Sequence, residues 1–389
     1  MEHFFAPCPR GLEAALAGEL TALSAQAVQT VDGGVAFAGD LALAYAANLE
    51  SRIASRVLWR IARAPYRSEK DIYAVTRGLR WHEQFDVARS IRVNVTLIRA
   101  PVQSRDFITL RIKDAVCDAF RAAGGRRPDV DTERPDVRIH AFLDRDTVTL
   151  YLDTSGEALF KRGWRISGGE APIRENLAAG IVRLTGWTAD TALLDPMCGS
   201  GTFLVEAAMT ALDVAPGLRR GFGFEKLGFF DSKVWQALRE KAAARRRPLR
   251  PLTIFGSDKF GSVLDLARAN LDAAGLAGTV TLKQMDVLDS SPPAERGILV
   301  MNPPYGERLA TPEMLAAFYP QLGAALKKRY AGWRACILSA NLKLPGAVGL
   351  KAQRRTPLYN GALECRLFEF ELIAGSLRRK VGTGEARQP

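Results

Sequence analysis

Four short stretches in the second half of the chain carry residue types suited to chemistry. In DPMCGSGT (195–202), glycines at 199 and 201 let the backbone turn tightly and approach a ligand, and the N-terminus of a following helix favours an anion. That loop fits a nucleotide-like ligand, and equally a tight structural turn, because it has neither the third glycine of the dinucleotide fingerprint nor the GK[ST] of a phosphate loop. Asp258, in FGSD, can accept hydrogen bonds from both hydroxyls of a ribose or can cap a helix. Asp286, in QMDVLD, can accept from an adenine amine or simply shape a turn. Asn302, Pro303, Pro304 and Tyr305 follow the apolar run RGILVM, so the chain leaves that run through an amide, two residues without backbone N–H donors, and an aromatic ring.

The segments that must hold these stretches alternate. TALL, LTIFGSD, VTLKQ, RGILV, ACILS and CRLFEFEL have strand character, and amphipathic helical patterns separate several of them. Strands alternating with helices predict a mostly parallel sheet covered on both faces, with its ligand crevice beyond the carboxyl ends of the strands, where all four stretches fall. The first part of the chain reads differently. A helix over GLEAALAGELTALSA and a strand pair around Asp32-Gly33-Gly34 form a small α+β module. RVLWRIA, EKDIYAVTRGL, SIRVNVTLI, DFITLRIKDAVCDAFRAAG and two strands joined at Asp144–Asp146 form a second. GEALFKRGWRISGGEAP (156–172) reads as a connector.

Taken in order, the glycine loop, the acid at 258, the acid at 286 and NPPY resemble the class I S-adenosylmethionine-dependent methyltransferases that methylate amines. LLDPMCGSGTFLVEAA, the insertion APGLRRGFGFEKLGFFD, GSD and NPPYGERL together resemble the THUMP-domain RNA methyltransferases, in the branch that modifies guanine N2 in bacterial 23S rRNA. The resemblance spans about residues 1–372. It implies an α/β fold in which a Rossmann-like class I methyltransferase domain, mostly parallel sheet with helices on both faces, follows α+β ferredoxin-like and THUMP domains. The expected boundaries are 1–50 for the ferredoxin-like piece, 51–155 for the THUMP domain, 156–171 for the connector, 172–375 for the methyltransferase domain with a basic insertion at about 213–250, and 376–389 for a basic, disordered tail. Many relatives carry a second, fused methyltransferase, an activity expected to be absent from this chain or separate from it.

The resemblance also assigns roles. Asp195, Cys198, Gly199, Ser200 and Gly201 would hold the methionine part of S-adenosylmethionine, Asp258 the ribose and Asp286 the adenine, with Met197, Lys259 and Val287 also at the cofactor. Asn302, Pro303, Pro304 and Tyr305 would meet the target base. The residue types suit that chemistry. An exocyclic amine is a poor nucleophile because its lone pair is delocalised into the ring, whereas a sulfonium methyl is already electrophilic. An Asn oxygen and a neighbouring backbone carbonyl can both accept from the NH2, aim its lone pair and stabilise the positive charge as it develops. Prolines stiffen that carbonyl, and Tyr305 can stack on a base swung out of its helix. The SGGEAPIRENLAAGIV segment, with Arg174, is expected to close the cofactor site. NPPY serves an adenine N6 amine as well as a guanine N2 amine, so adenine methylation of RNA or DNA is the enzymatic alternative, beside a guanine-N2 reaction on tRNA; a non-catalytic RNA-binding factor is the reading outside enzymology.

Composition narrows the partners. The formal charge of +12 is uneven: residues 1–165 hold 24 Lys and Arg against 21 Asp and Glu, and residues 166–389 hold 30 against 21. Part of the excess lies in REKAAARRRPLRP, where Arg245, Arg246 and Arg247 are expected to meet phosphates of an RNA partner, 23S rRNA or a large-subunit assembly intermediate. Asp195 and Asp258 stand 63 positions apart, against about 20 in a simple dinucleotide unit, and the insertion accounts for the difference. Five scattered cysteines and three histidines offer neither a disulfide framework nor a zinc site, so no metal and a reducing cytoplasm are expected. No apolar run approaches the roughly 20 residues that span a bilayer, and no membrane partner is expected. Cys198 has no neighbouring His or base to activate it, and the aromatics Trp81, Trp164, Phe222, Phe224 and Phe229 read as packing residues.

Overall fold

A computed structural model describes residues 1–102, 104–166, 173–304 and 311–373. Tyr305, all of the expected tail and part of the connector lie outside the described residues.

Seven strands before residue 154 build the first sheet: β1 (Glu2–Pro7), β2 (Gln26–Val31), β3 (Gly34–Gly39), β4 (Leu58–Pro65), β5 (Ile91–Leu97), β6 (Val137–Leu143) and β7 (Thr147–Asp153). Their order is β2-β3-β1-β4-β7-β6-β5. The two α+β modules expected from sequence therefore share a single sheet. β4 makes the join, pairing antiparallel with β1 (Phe4 beside Trp59) and with β7 (Trp59 beside Leu152). The pattern along β6, alternately buried and half-buried, shows why: one face of the sheet carries Val137, Ile139, Ala141 and Leu143 into the core under the helix Arg105–Gly124, whose Ile108, Ile112, Val116 and Phe120 complete it.

The second sheet contains β8 (Ala192–Asp195), β9 (Ile254–Asp258), β10 (Thr281–Gln284), β11 (Gly297–Met301), β12 (Arg334–Ser339), β13 (Arg354–Asn360) and β14 (Leu363–Glu371), in the order β10-β9-β8-β11-β12-β14-β13. The first five are parallel, and the β13–β14 hairpin closes one edge antiparallel. β8 and β11 are buried along their whole length, as strands covered on both faces must be. Chain order runs outward from β8 to β9 and β10, then returns to β11 on the other side of β8. The switch point thus opens between β8 and β11.

The insertion holds the halves together. Phe224, Phe229, Phe230 and Trp235 pack against Tyr45 of the first sheet's module and Phe229 also against Trp59, with ring centroids at 4.5 Å for Tyr45–Phe224 and 4.9 Å for Trp59–Phe229, while Phe222 backs Phe224 and Trp235. Such pairs each add about 0.5–1.5 kcal/mol beyond area burial. The Tyr45 hydroxyl donates to Phe229 O (3.0 Å) and accepts from Asp231 N–H (2.9 Å). Arg220 donates to the carbonyls of Ser155, Glu157, Ala158 and Lys161, fixing the chain that leaves β7.

Candidate active site

The glycine loop leaves β8 at Asp195 and enters the helix Thr202–Ala211 at Gly201. Gly199 and Gly201 have φ of +54° and +81°, left-handed conformations that glycine adopts without penalty. A Cβ at 199 would meet nothing within 4 Å, so the loop presents bare backbone to open space. Three bonds set its shape: Cys198 N–H donates to Ser257 O (2.9 Å), Gly201 N–H to Cys198 O (2.8 Å), and Gly199 N–H to the Asp258 carboxylate (3.0 Å).

Asp258 ends β9, and its other oxygen accepts from Phe260 N–H (3.1 Å). Its backbone carbonyl receives Met285 N–H (2.9 Å), which ties the turn after β10 to the end of β9. Asp286 follows, accepting from Leu288 N–H (2.9 Å) and lying 3.7 Å from Lys259 Nζ, with Val287 buried beside it. The structure therefore brings the loop, Asp258, Lys259 and Asp286 into one bonded chain across three adjacent strand ends. Asn302 comes from the fourth. β11 pairs with β8 at Leu299 beside Leu194, and continuing that register sets Asn302 level with Met197.

Burial governs the electrostatics. Asp195 is 2 % exposed, and its carboxyl is held well above the usual carboxylate range by desolvation, with the Asp258 charge adding to the rise and the Met197 N–H opposing it. Desolvation, followed by the Asp195 and Asp258 charges, also pushes the Cys198 thiol well up, which denies it thiolate character. Asn302 Oδ1 is buried and has no hydrogen-bond partner among the described residues. A buried acceptor in that state costs about 1–3 kcal/mol, which a donor from a bound ligand would offset. Pro303 is buried, and the carbonyl of Pro304 accepts from the Tyr319 hydroxyl (3.0 Å).

Several placements differ from expectation. The Arg174 guanidinium lies over the Phe160 ring at 5.0 Å and lines a pocket with Arg10 and Tyr359. Arg165, which the sequence did not single out, takes the position expected of it: Nε donates to Glu175 (2.6 Å), and the terminal nitrogens reach Thr202 Oγ1 (3.0 Å) and Ser200 Oγ (3.4 Å). Asn270 adds a second brace, donating to Ser200 O (3.0 Å) and accepting from Ile166 N–H (3.0 Å). Arg245, expected at phosphates, is paired with Glu50 and with Asp213 (3.2 Å), while Arg246 donates to Gly275 O (2.9 Å); both guanidiniums are engaged within the chain because the insertion folds back onto it. Arg247 is exposed.

Comparison with known proteins gives three matched regions: residues 3–58 to an RlmL ferredoxin-like domain, 66–153 to a THUMP domain, and 162–369 to the RMKL-like methyltransferase domain. The ribosomal RNA large subunit methyltransferase K/L of Aeromonas salmonicida is 40% identical over 97% of this chain, and the chain spans 55% of that relative's length. A Synechocystis protein named "Putative RNA methyltransferase slr0064" is 38% identical, with 95% of this chain and 96% of the relative covered. The solved structure of "SMU.472, a putative methyltransferase complexed with SAH" superposes with a TM-score of 0.87 at 30% identity, covering 96% of this chain and 99% of that one.

Proposed function

The chain belongs to the RMKL-like methyltransferase family, and from that premise we propose that it transfers a methyl group from S-adenosylmethionine to the N2 amine of a guanine in 23S rRNA, held by its first 155 residues. The observation that carries this reading is the buried Asn302 Oδ1, without a partner among the described residues, at the strand end beside the glycine loop. An NH2 donor is the partner that such an acceptor lacks.

The cofactor, when bound, supplies an electrophilic sulfonium methyl. The protein's residues supply position. The bare backbone at Gly199 and the loop to Gly201 admit the methionine part close to the main chain, with Arg165 bracing Ser200 and Thr202 from outside. Asp258, now bonded to Gly199 N–H, would hold the ribose hydroxyls, and Asp286, beside Lys259, would hold the adenine amine. Asn302 Oδ1 and the Pro303 carbonyl accept from the target NH2, so the lone pair faces the methyl and the developing charge meets two oxygens. Tyr305 stacks on the extruded base. The relatives named for ribosomal RNA support the substrate, as does the THUMP match.

The test is incubation with labelled S-adenosylmethionine and, separately, unmodified 23S rRNA, tRNA and DNA, followed by digestion to nucleosides. N2-methylguanosine from 23S rRNA alone is the expected product. N6-methyladenosine, or label in tRNA or DNA, would overturn the substrate while keeping the cofactor site.

A further inference from the structure

A second concave site opens where the first module meets the catalytic domain. It has a volume of about 160 Å³ and is lined by Arg10, Ser55, Arg174, Leu177, Tyr359 and Gly361, among others. No acid lines it. Both arginines are exposed and held by rings, Arg10 over Tyr359 at 5.7 Å and Arg174 over Phe160 at 5.0 Å. Stacking leaves the donors along the guanidinium edge free to fork onto an anion. The nearest opposing charge on Arg10 is Asp32 at 4.0 Å, with the two side chains 58% and 98% exposed, a pairing that contributes little.

The site is built by close approach. At Gly11, φ is +91° and a Cβ would stand 2.1 Å from Pro357 O, so the turn after β1 sits directly against β13 only because residue 11 has no side chain. The pocket also lies at the catalytic end of the sheet. Met301 shares a row with Ile337, Phe368 and Arg355, so Asn302 is level with Thr356, and Tyr359 lies three residues beyond it and three strands away. With strands about 4.8 Å apart and a rise of about 3.4 Å per residue, the separation is about 18 Å. That span is within reach of a phosphate a few nucleotides from a target base at Asn302.

Resting on the reading above, we propose that the Arg10–Arg174 pocket binds a backbone phosphate of the RNA strand flanking the target nucleotide. Its volume decides the size of the occupant. Pockets for small molecules run to about 300–1,000 Å³, so this smaller one suits a group of about the size of a phosphate. Its position between the module that holds RNA and the sheet that performs the chemistry makes it a registration point, fixing which nucleotide reaches Asn302.

The experiment measures binding of an unmodified 23S rRNA fragment by fluorescence anisotropy from low to moderate salt, with the full-length protein and its Arg10→Ala, Arg174→Ala, double and Arg10→Lys variants. Each alanine variant should weaken RNA binding about tenfold, and each lost phosphate contact should reduce the slope of log K against log salt by about 0.7. Arg10→Lys should retain the slope. Cofactor affinity by calorimetry should be unchanged in all of them. An unchanged RNA slope in the double variant would overturn the proposal, as would a loss confined to thermal stability, which would make the arginines domain glue. Inorganic phosphate should give no measurable heat; heat that disappears in the double variant while the RNA slope stays constant would make this a small-anion site and reject the RNA assignment. Because binding is read without catalysis, wild-type protein that binds RNA but methylates none would refute the proposed reaction and leave the pocket standing.

Discussion

Replacing Asn302 by alanine sets two effects against each other, and the structure gives both signs. For catalysis, the variant loses an acceptor that is aimed at the amine only when substrate is bound. Removal of one such preorganised hydrogen-bonding group typically costs about 10²–10³ in kcat, or about 2.7–4 kcal/mol. For stability the sign reverses, because Oδ1 is buried without a partner among the described residues, and its removal relieves about 1–3 kcal/mol of unmet solvation. In a catalytic unit of roughly 200 residues, 1 kcal/mol shifts Tm by about 2–4 °C, so the variant should melt at the wild-type temperature or a few degrees above it. Single-turnover methylation of RNA measures the first effect and differential scanning calorimetry the second. A rate within threefold of wild type would remove Asn302 from the chemistry. A Tm lowered by several degrees would show that its polar atoms are satisfied in the folded state, and the argument from the orphaned acceptor would fail.

Three further outcomes are expected. Asp195 has a folded-state pKa raised by burial, so the native chain retains a proton that the unfolded chain releases; between the usual carboxylate pKa and the raised one, the unfolded state binds fewer protons and stability falls as pH increases. Asp195→Asn should flatten the decline of Tm from pH 4.5 upward, and an unchanged profile would mean that the carboxyl is ionised when folded. Arg245→Ala should leave the salt dependence of RNA binding unaltered, because its guanidinium already pairs with Glu50 and Asp213, and a shallower slope would return it to the phosphates. Trp235→Ala, deleting a ring that meets Phe222 at 5.5 Å and Phe224 at 5.0 Å, should destabilise by about 3–5 kcal/mol and make limited proteolysis separate the first module from the catalytic domain; intact resistance would place the adhesion elsewhere.

The parallel sheet was legible because each of its chemical stretches follows an apolar run, and strand ends converge by topology once the runs are placed. The glycine loop, Asp258 and Asp286 carry recognisable spacing for the same reason. Arg165 carried no signal. It sits among FKRGWR, where Lys161, Arg162 and Arg165 look alike, and its selection rests on Ser200 and Thr202, which lie 35 and 37 positions away. Arg162, three residues earlier, goes instead into the core against Glu206 at 3.3 Å. The union of the first two modules was equally hidden, since hydrophobic alternation marks β4 as a strand without saying that both of its edges are taken. Arg245 misled for a related reason: charge counted along the chain does not show that Glu50 faces it from nearly two hundred residues away.

The shared strand β4 also limits how this molecule can be dissected. With β1 on one edge and β7 on the other, a cut between the ferredoxin-like and THUMP regions falls within a sheet and not between two bodies. A fragment beginning at residue 66 would leave the backbone donors and acceptors of Thr147–Asp153 that face β4 unpaired along an edge whose side chains are mostly buried, an open template for a second copy. Any RNA-binding fragment made for separate study should therefore start at residue 1, and self-association of a shorter one would reflect the missing strand rather than the natural assembly of the protein.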